Sequence, residues 1–271
     1  MQNSISIGQS FLLGIVQGAT EFLPVSSSGH LVLFRSYFNI DDVGLLFDVL
    51  LHVATLVVIV FYYRKLVGSL FLSFFRFIAR KSGLEDKENL NLIVGIIIST
   101  LITVAMALIF KALKIEATDK LSVSILMLVT ALLLFSTRYV NKVVKPTDKL
   151  GPKQIIMSGF GQGFGVLAGI SRSGATLTAA LYSGMERKKA ADYTFILSIP
   201  AVLGALVLTL AEKGESVTIS ISAMLVGCFA AFVVGMLTLR VLLWMIKSAR
   251  LWYFSIYLLI VGVFGIVSAF V

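Results

Sequence analysis

Two short stretches hold most of the side chains able to do chemistry. "EFLPVSSSGH" (21–30) gathers Glu21, Ser26, Ser27, Ser28 and His30, and "AGISRSGAT" (168–176) gathers Ser171, Arg172, Ser173 and Thr176. Both lie inside apolar surroundings. An Arg at the centre of a bilayer costs about 2.5–3.5 kcal/mol on insertion scales, with a comparable penalty for Glu, and ionisable groups kept there usually serve a function. A bland alternative is a buried structural ion pair between Glu21 and Arg172. Such a pair has no need of the hydroxyls clustered around it. Guanidinium, hydroxyls and helix N-termini together suit a phosphate.

Each stretch breaks an apolar run, and the break determines how its groups are presented. Pro24 removes a backbone donor and drives Leu23 toward extended geometry, so the helix that begins near Ile5 is expected to end there. Ser26, Ser27 and Ser28 are good N-caps for a helix restarting at about Gly29. In the second stretch Gly169 supplies the break, and Ser171 or Ser173 caps the helix that follows. Each break therefore aims a helix N-terminus, with its unpaired N–H groups and partial positive charge, into the protein interior, which makes an anion site.

The chain of 271 residues is 58% hydrophobic and only 14% charged, with a mean hydropathy of +0.98. Those values exclude a soluble globular domain and predict an all-α integral membrane protein forming a single membrane domain, 1–271. Six runs are long enough to cross the bilayer: 44–63, 92–112, 121–138, 193–211, 219–243 and 251–271. The N-terminus "MQNSISIGQS" lacks a basic signal-peptide region and is expected to stay in the mature protein. The net charge of +9 reports topology rather than nucleic-acid binding. Grouping the basic residues by loop puts seventeen in the cytoplasm and five, Arg35, Lys111, Lys114, Lys120 and Lys213, outside; Arg172 remains unassigned. Both termini then face outward. Segments 5–34 and 154–185 must each enter and leave by the same face, which is tolerated only where protein or a water-filled cavity satisfies the backbone.

Laying 14–31 over 159–176 without a gap matches Gly14 with Gly159, Gln17 with Gln162 and Gly18 with Gly163. It also matches Ser26 with Ser171, Ser28 with Ser173 and Gly29 with Gly174. Entry from opposite faces makes this an inverted repeat, 1–138 and 139–271, an arrangement that sets broken helices tip to tip near the midplane.

"QGATEFLPVSSSGH" resembles the E-or-Q-x-x-x-E motif and serine–histidine segment of the undecaprenyl-diphosphate phosphatase family, a bacitracin-resistance type of enzyme. "AGISRSGAT" resembles that family's P-G-x-S-R-S-x-x-T motif. The likeness covers essentially the whole chain. It implies a plasma-membrane hydrolase that removes the terminal phosphate of a polyprenyl diphosphate carrier on the extracytoplasmic side, recycling the carrier for the cell envelope and peptidoglycan. A divalent cation, Mg²⁺ or Ca²⁺, is implied as cofactor. The partners are the polyprenyl diphosphate, membrane lipids and, as one option, a second copy in a homodimer, with no nucleic acid. Carried over by position, Gln17, Glu21, Ser26, Ser27, His30, Ser171, Arg172, Ser173 and Thr176 are the functional residues. Gln17 stands where many relatives have Glu, which leaves one carboxylate there, and Ala168 replaces the family's proline.

In a phosphatase, Arg172 and the N–H groups around 172–174, Gly174 included, bind the diphosphate with Gln17, Ser26, Ser28, Ser171, Ser173 and Thr176. Phosphoryl transfer depends mainly on such positioning and charge neutralisation. Ser27 is expected to attack phosphorus, with His30, one helical turn on, taking or orienting its proton. Glu21 either orients His30 or holds the cation, and His30 itself is the competing nucleophile. His52 in "FDVLLHVATL" reads as a hydrogen-bonded packing residue, Asp48 lies near the expected cavity mouth, and Cys228 reads as core. The glycines of "GFGQGFGVLAG" have the four-residue spacing of close helix packing, and no G-x-x-x-x-G-K-S/T is present. The run 80–91 reads as a solvated loop. The rival function is an inverted-repeat transporter or flippase for the lipid carrier or an anion.

Overall fold

The computed structural model describes residues 5–40, 44–147, 149–211 and 219–270. Lys213, the first four residues and Val271 lie outside them. Among the described residues the chain forms twelve α-helices and no strand, an all-α, multi-pass integral membrane protein. Their order is α1 (Ile7–Thr20), α2 (Ser27–Phe38), α3 (Leu45–Tyr62), α4 (Arg64–Ile78), α5 (Lys87–Ala112) and α6 (Lys120–Ser136). A short α7 (Val140–Val143) precedes α8 (Pro152–Phe164), α9 (Arg172–Tyr182), α10 (Arg187–Ala211), α11 (Ile221–Lys247) and α12 (Tyr253–Val267).

Five helices, α3, α5, α6, α10 and α11, are long and apolar enough to cross a membrane. The sixth expected span, 251–271, is shorter: α12 has 15 residues, about 22 Å at 1.5 Å per residue. The two interrupted segments form helix–break–helix units, α1/α2 and α8/α9. Capping residues in the sequence set the helix starts. Ser6 and Gln9 form a capping box at α1, Asp119 accepts from Leu121 N and Ser122 N at α6, and Ser220 caps α11.

One element was not foreseen. Residues 64–78 form α4, whose Phe71, Phe75, Phe77 and Ile78 are exposed. The run 80–91 is likewise more ordered than a solvated loop. Asp86 is 2% exposed and accepts from Ser73 Oγ (2.7 Å) and Gly83 N (3.0 Å); α5 starts at the next residue. Asp86 is thus held by a folded turn, while Arg80, Lys81, Glu85, Lys87 and Glu88 remain exposed to solvent.

Small residues let the interrupted helices approach their supports closely. A Cβ on Gly14 would lie 2.2 Å from Gly227 O, and one on Gly18 2.6 Å from Ala231 O, so α1 rests directly on α11. Thr238 Oγ1 donates to Gly18 O across that contact (2.6 Å). The α8 helix rests on α5 in the same manner, through Gly159 against Ser99 and Gly163 against Met106. Ser99 Oγ donates to Ile155 O there (2.7 Å). The four-residue glycine spacing thus does serve packing. Cys228 is partly buried on α11 beside Leu50, a packing position.

Candidate active site

The first break starts earlier than Pro24 requires. The α1 helix ends at Thr20, residues 21–25 form turns, and Ser26, at φ 68°, caps α2, which starts at Ser27 rather than near Gly29. Ser26 Oγ accepts from Gly29 N (3.3 Å) and also from Gly169 N in the other break (3.1 Å). In the second break Gly169 has φ +97°, and a Cβ there would lie 2.5 Å from Val123 O, so both conformation and space demand glycine. Ser171 caps α9 by accepting from Gly174 N (3.1 Å). Thr130 of α6 clamps this break, donating to Gly169 O (3.0 Å) and accepting from Ser171 N (3.1 Å). The two breaks touch: a Cβ on Gly29 would be 3.2 Å from Gly169 Cα, and one on Gly174 3.0 Å from Pro24 Cβ.

At their meeting point sits Glu21, 6% exposed. Its Oε2 accepts from Ser27 Oγ (2.5 Å) and Gln17 Nε2 (3.0 Å), while Oε1 accepts from Arg172 Nη2. His52 Nε2 lies 3.4 Å from Oε2. The Glu21–Arg172 pair considered above as a bland alternative is therefore formed, but it faces a cavity of about 70 Å³. Polar groups dominate the walls: Glu21, Ser26, Ser27, Ser28, His52, Ser171, Arg172 and Ser173, with Gly165 and Ile170. Seven of the expected site residues thus converge. Four do not reach the cavity. Gln17 is buried behind Glu21, the Gly174 N–H is taken by the α9 cap, and Thr176 Oγ1 donates back to Arg172 O (2.7 Å).

His30 is the fourth. Its Nδ1 faces Ser26 O (2.8 Å), its Nε2 the Tyr257 hydroxyl (2.8 Å), and its ring stacks on Tyr257 of α12. One helical turn separates it from Ser27, yet both ring nitrogens are directed elsewhere. The hydroxyl of Ser27 is held by Glu21 instead. His30 supports the break from behind through the Ser26 carbonyl.

A second cavity of about 950 Å³ adjoins the first and shares Ser28, His52, Gly165 and Arg172 with it. Much of its wall is apolar, including Leu31, Val32, Val49, Val166, Ala168 and Val202. Asp48 stands in it, paired to Arg35 through both guanidinium ends, with Asp119 and Lys120 also on the wall.

Residues 10–264 match the family described as Bacitracin resistance protein BacA. The chain belongs to that family. It is 40% identical to an undecaprenyl-diphosphatase of Treponema denticola over 262 residues, covering 95% of this chain and 96% of the relative. It is 38% identical over 250 residues to that of Borrelia recurrentis, at 91% and 93% coverage. For Desulforapulum autotrophicum the identity is 35% over 271 residues, at 97% and 98%.

In this BacA-family chain, no group of three or more His, Cys, Asp and Glu converges among the described residues. Hard divalent cations take several oxygen ligands, six to eight for Ca²⁺. The small cavity offers one carboxylate, Glu21, already occupied by Arg172, Ser27 and Gln17, and of the two carboxylates on the wall of the large cavity, Asp48 and Asp119, the first is tied by Arg35. These donors do not form a divalent cage of their own; Glu21 is the carboxylate that would hold a cation against the phosphate oxygens of a diphosphate.

Two residues beside the breaks are not assigned to the site by the sequence, which reads His52 as a hydrogen-bonded packing residue. His52 lies on α3, far along the chain from either motif, and Thr130 lies mid-span on α6. A titratable side chain one turn after Asp48 in an apolar run was a signal for the first. For Thr130 there was none, because a threonine in a spanning helix usually bonds back to its own backbone.

Proposed function

We propose that this chain is a polyprenyl diphosphate phosphatase acting on the undecaprenyl carrier, with Ser27 as nucleophile and Glu21 as its base. One observation carries the assignment: the Ser27 hydroxyl donates to a buried carboxylate at 2.5 Å, within a polar cavity bordered by Arg172 and two helix N-termini. The site of each chemical group follows from that geometry. Arg172, its side chain 20% exposed and lining both cavities, meets the terminal phosphate, and the capped N-terminal turns of α2 and α9 add positive potential. Ser27 gives its proton to Glu21 Oε2 as Oγ bonds to the terminal phosphorus. The bond from that phosphorus to the bridging oxygen breaks, and lipid monophosphate leaves. Water then attacks the phosphoserine, phosphate departs, and Ser27 regains its proton. Ser26, Ser28, Ser171 and Ser173 supply hydroxyls around the phosphoryl oxygens.

The adjoining cavity, with its apolar wall and its size of about 950 Å³, accommodates the first isoprene units of the lipid. We place its mouth on the extracytoplasmic side of the plasma membrane, with both termini outside. Arg35 and Lys120, which line it, belong to the sparse outer set of basic residues, and positive charge otherwise concentrates inside. We also read 1–138 and 139–271 as inverted repeats. In support, Pro24 and Gly169 occupy matched positions, and each packs on the matched glycine of the other half, Gly174 and Gly29.

Phosphate release by the purified protein from polyprenyl diphosphates of several lengths tests the function. Wild type is expected to release phosphate and Ser27→Ala to fall by at least about 100-fold with KM little changed, the pattern of an interaction specific to reaction. Lipid movement across vesicles without phosphate release would make the chain a transporter.

A further inference from the structure

His52 has no part in the phosphatase mechanism above, yet it stands at the catalytic carboxylate. Its Nδ1 is 2.8 Å from the carbonyl oxygen of Asp48. A carbonyl only accepts, so Nδ1 carries a proton and donates it. Its Nε2 lies 3.4 Å from Glu21 Oε2, the oxygen that also receives the Ser27 hydroxyl. With Nδ1 turned to the Asp48 carbonyl, the Nε2 edge of the ring is the one presented to the Glu21 carboxylate.

Glu21 is otherwise held from two directions. Arg172 binds Oε1, and Gln17 binds Oε2 from one turn earlier on the same segment. Gln17 moves with Glu21, and Arg172 is the group that the phosphate recruits. His52 comes from α3, a separate membrane-length helix packed beside the break, where Phe22 shares a core with Leu56, Val58 and Ile59. We propose that His52 is a positioning residue that fixes the Glu21 carboxylate from α3 and keeps Oε2 turned toward Ser27 while Arg172 engages the substrate phosphate. It borders both cavities, and the role proposed for it is exercised through Glu21. What the position requires is a donor at Nε2, and the amide of a glutamine supplies one.

This inference rests on the phosphatase reading, and kinetics of phosphate release from a short polyprenyl diphosphate, farnesyl diphosphate, separates the two. Three proteins are compared in detergent: wild type, His52→Leu and His52→Gln. A misaligned base costs turnover rather than binding, so His52→Leu is expected to lower kcat by at least about tenfold with KM within about twofold. His52→Gln is expected to recover at least about a third of wild-type kcat by restoring the donor. Wild type without phosphate release would remove the phosphatase reading itself. An active wild type matched by a folded His52→Leu would overturn the role of His52, and so would a His52→Gln no better than Leu. Should His52→Leu fail to give a monodisperse protein, His52→Asn replaces it, since its shorter side chain withdraws the donor from Oε2 and the same kcat loss is expected.

Discussion

At Arg172 the guanidinium holds Glu21 and borders both cavities. Its planar fork can engage two oxygens at once, which an ammonium does not reproduce. Arg172→Lys keeps a cation beside Glu21, so the protein is expected to fold, while turnover falls at least about tenfold. Arg172→Ala instead strands a buried carboxylate and should also unfold at a lower temperature, since breaking a buried pair costs about 3–5 kcal/mol. Near-normal turnover by a folded Arg172→Lys would return Arg172 to a structural pair. The cluster Glu21, Ser26–Ser28 and Ser171–Ser173 was legible in the sequence because local break chemistry and the cost of charge in a membrane both act over a few residues. The partner of Ser27 was not. Its spacing to His30 matches one helical turn, but α2 starts at Ser27 itself, and the His30 ring finds Ser26 O and Tyr257 instead. His52 reaches Glu21 only because α3 packs beside the break, a tertiary fact that spacing along the chain does not encode.

The interrupted helices depend on α6 to hold their tips. Thr130 serves both sides of the second break, donating to Gly169 O and accepting from Ser171 N. Thr130→Val preserves shape while leaving two buried backbone groups without that partner, at about 1–3 kcal/mol each. A lower midpoint in a thermal-unfolding measurement is expected, together with reduced turnover. Gly169→Ala, which must accommodate a Cβ 2.5 Å from Val123 O at φ +97°, is expected to be at least as damaging. An unchanged midpoint in both variants would show that the break does not rely on this clamp. Among elements, the spans and both breaks were readable because apolar length, proline, glycine and serine caps are local signals. The α4 helix was obscured by its basic residues, which were counted as loop charges although Arg64, Lys65 and Arg76 lie on the helix. The α12 helix is shorter than its apolar run because residues 251–252 form a turn before it begins at Tyr253 and residues 268–269 form another after it ends at Val267.

Across the whole molecule, the two breaks, the polar cavity and the apolar slot beside it form one continuous site reached from the side where Arg35, Asp119 and Lys120 gather. The proposed orientation rests on loop charge. In a Cys228→Ala background, a cysteine at Asn39 is expected to react with a membrane-impermeant thiol reagent applied to intact cells, and one at Ser82 to be protected. Labelling at Ser82 with protection at Asn39 would reverse the topology. The central claim is that Ser27, held by Glu21, attacks the terminal phosphorus. It is tested most directly by rapid-quench mass spectrometry of the purified enzyme mixed with a polyprenyl diphosphate. The expected result is a phosphoserine at position 27 that accumulates and decays on the time scale of turnover, with no phosphate on His30. Phosphohistidine at position 30, or rapid turnover by Ser27→Ala, would contradict it.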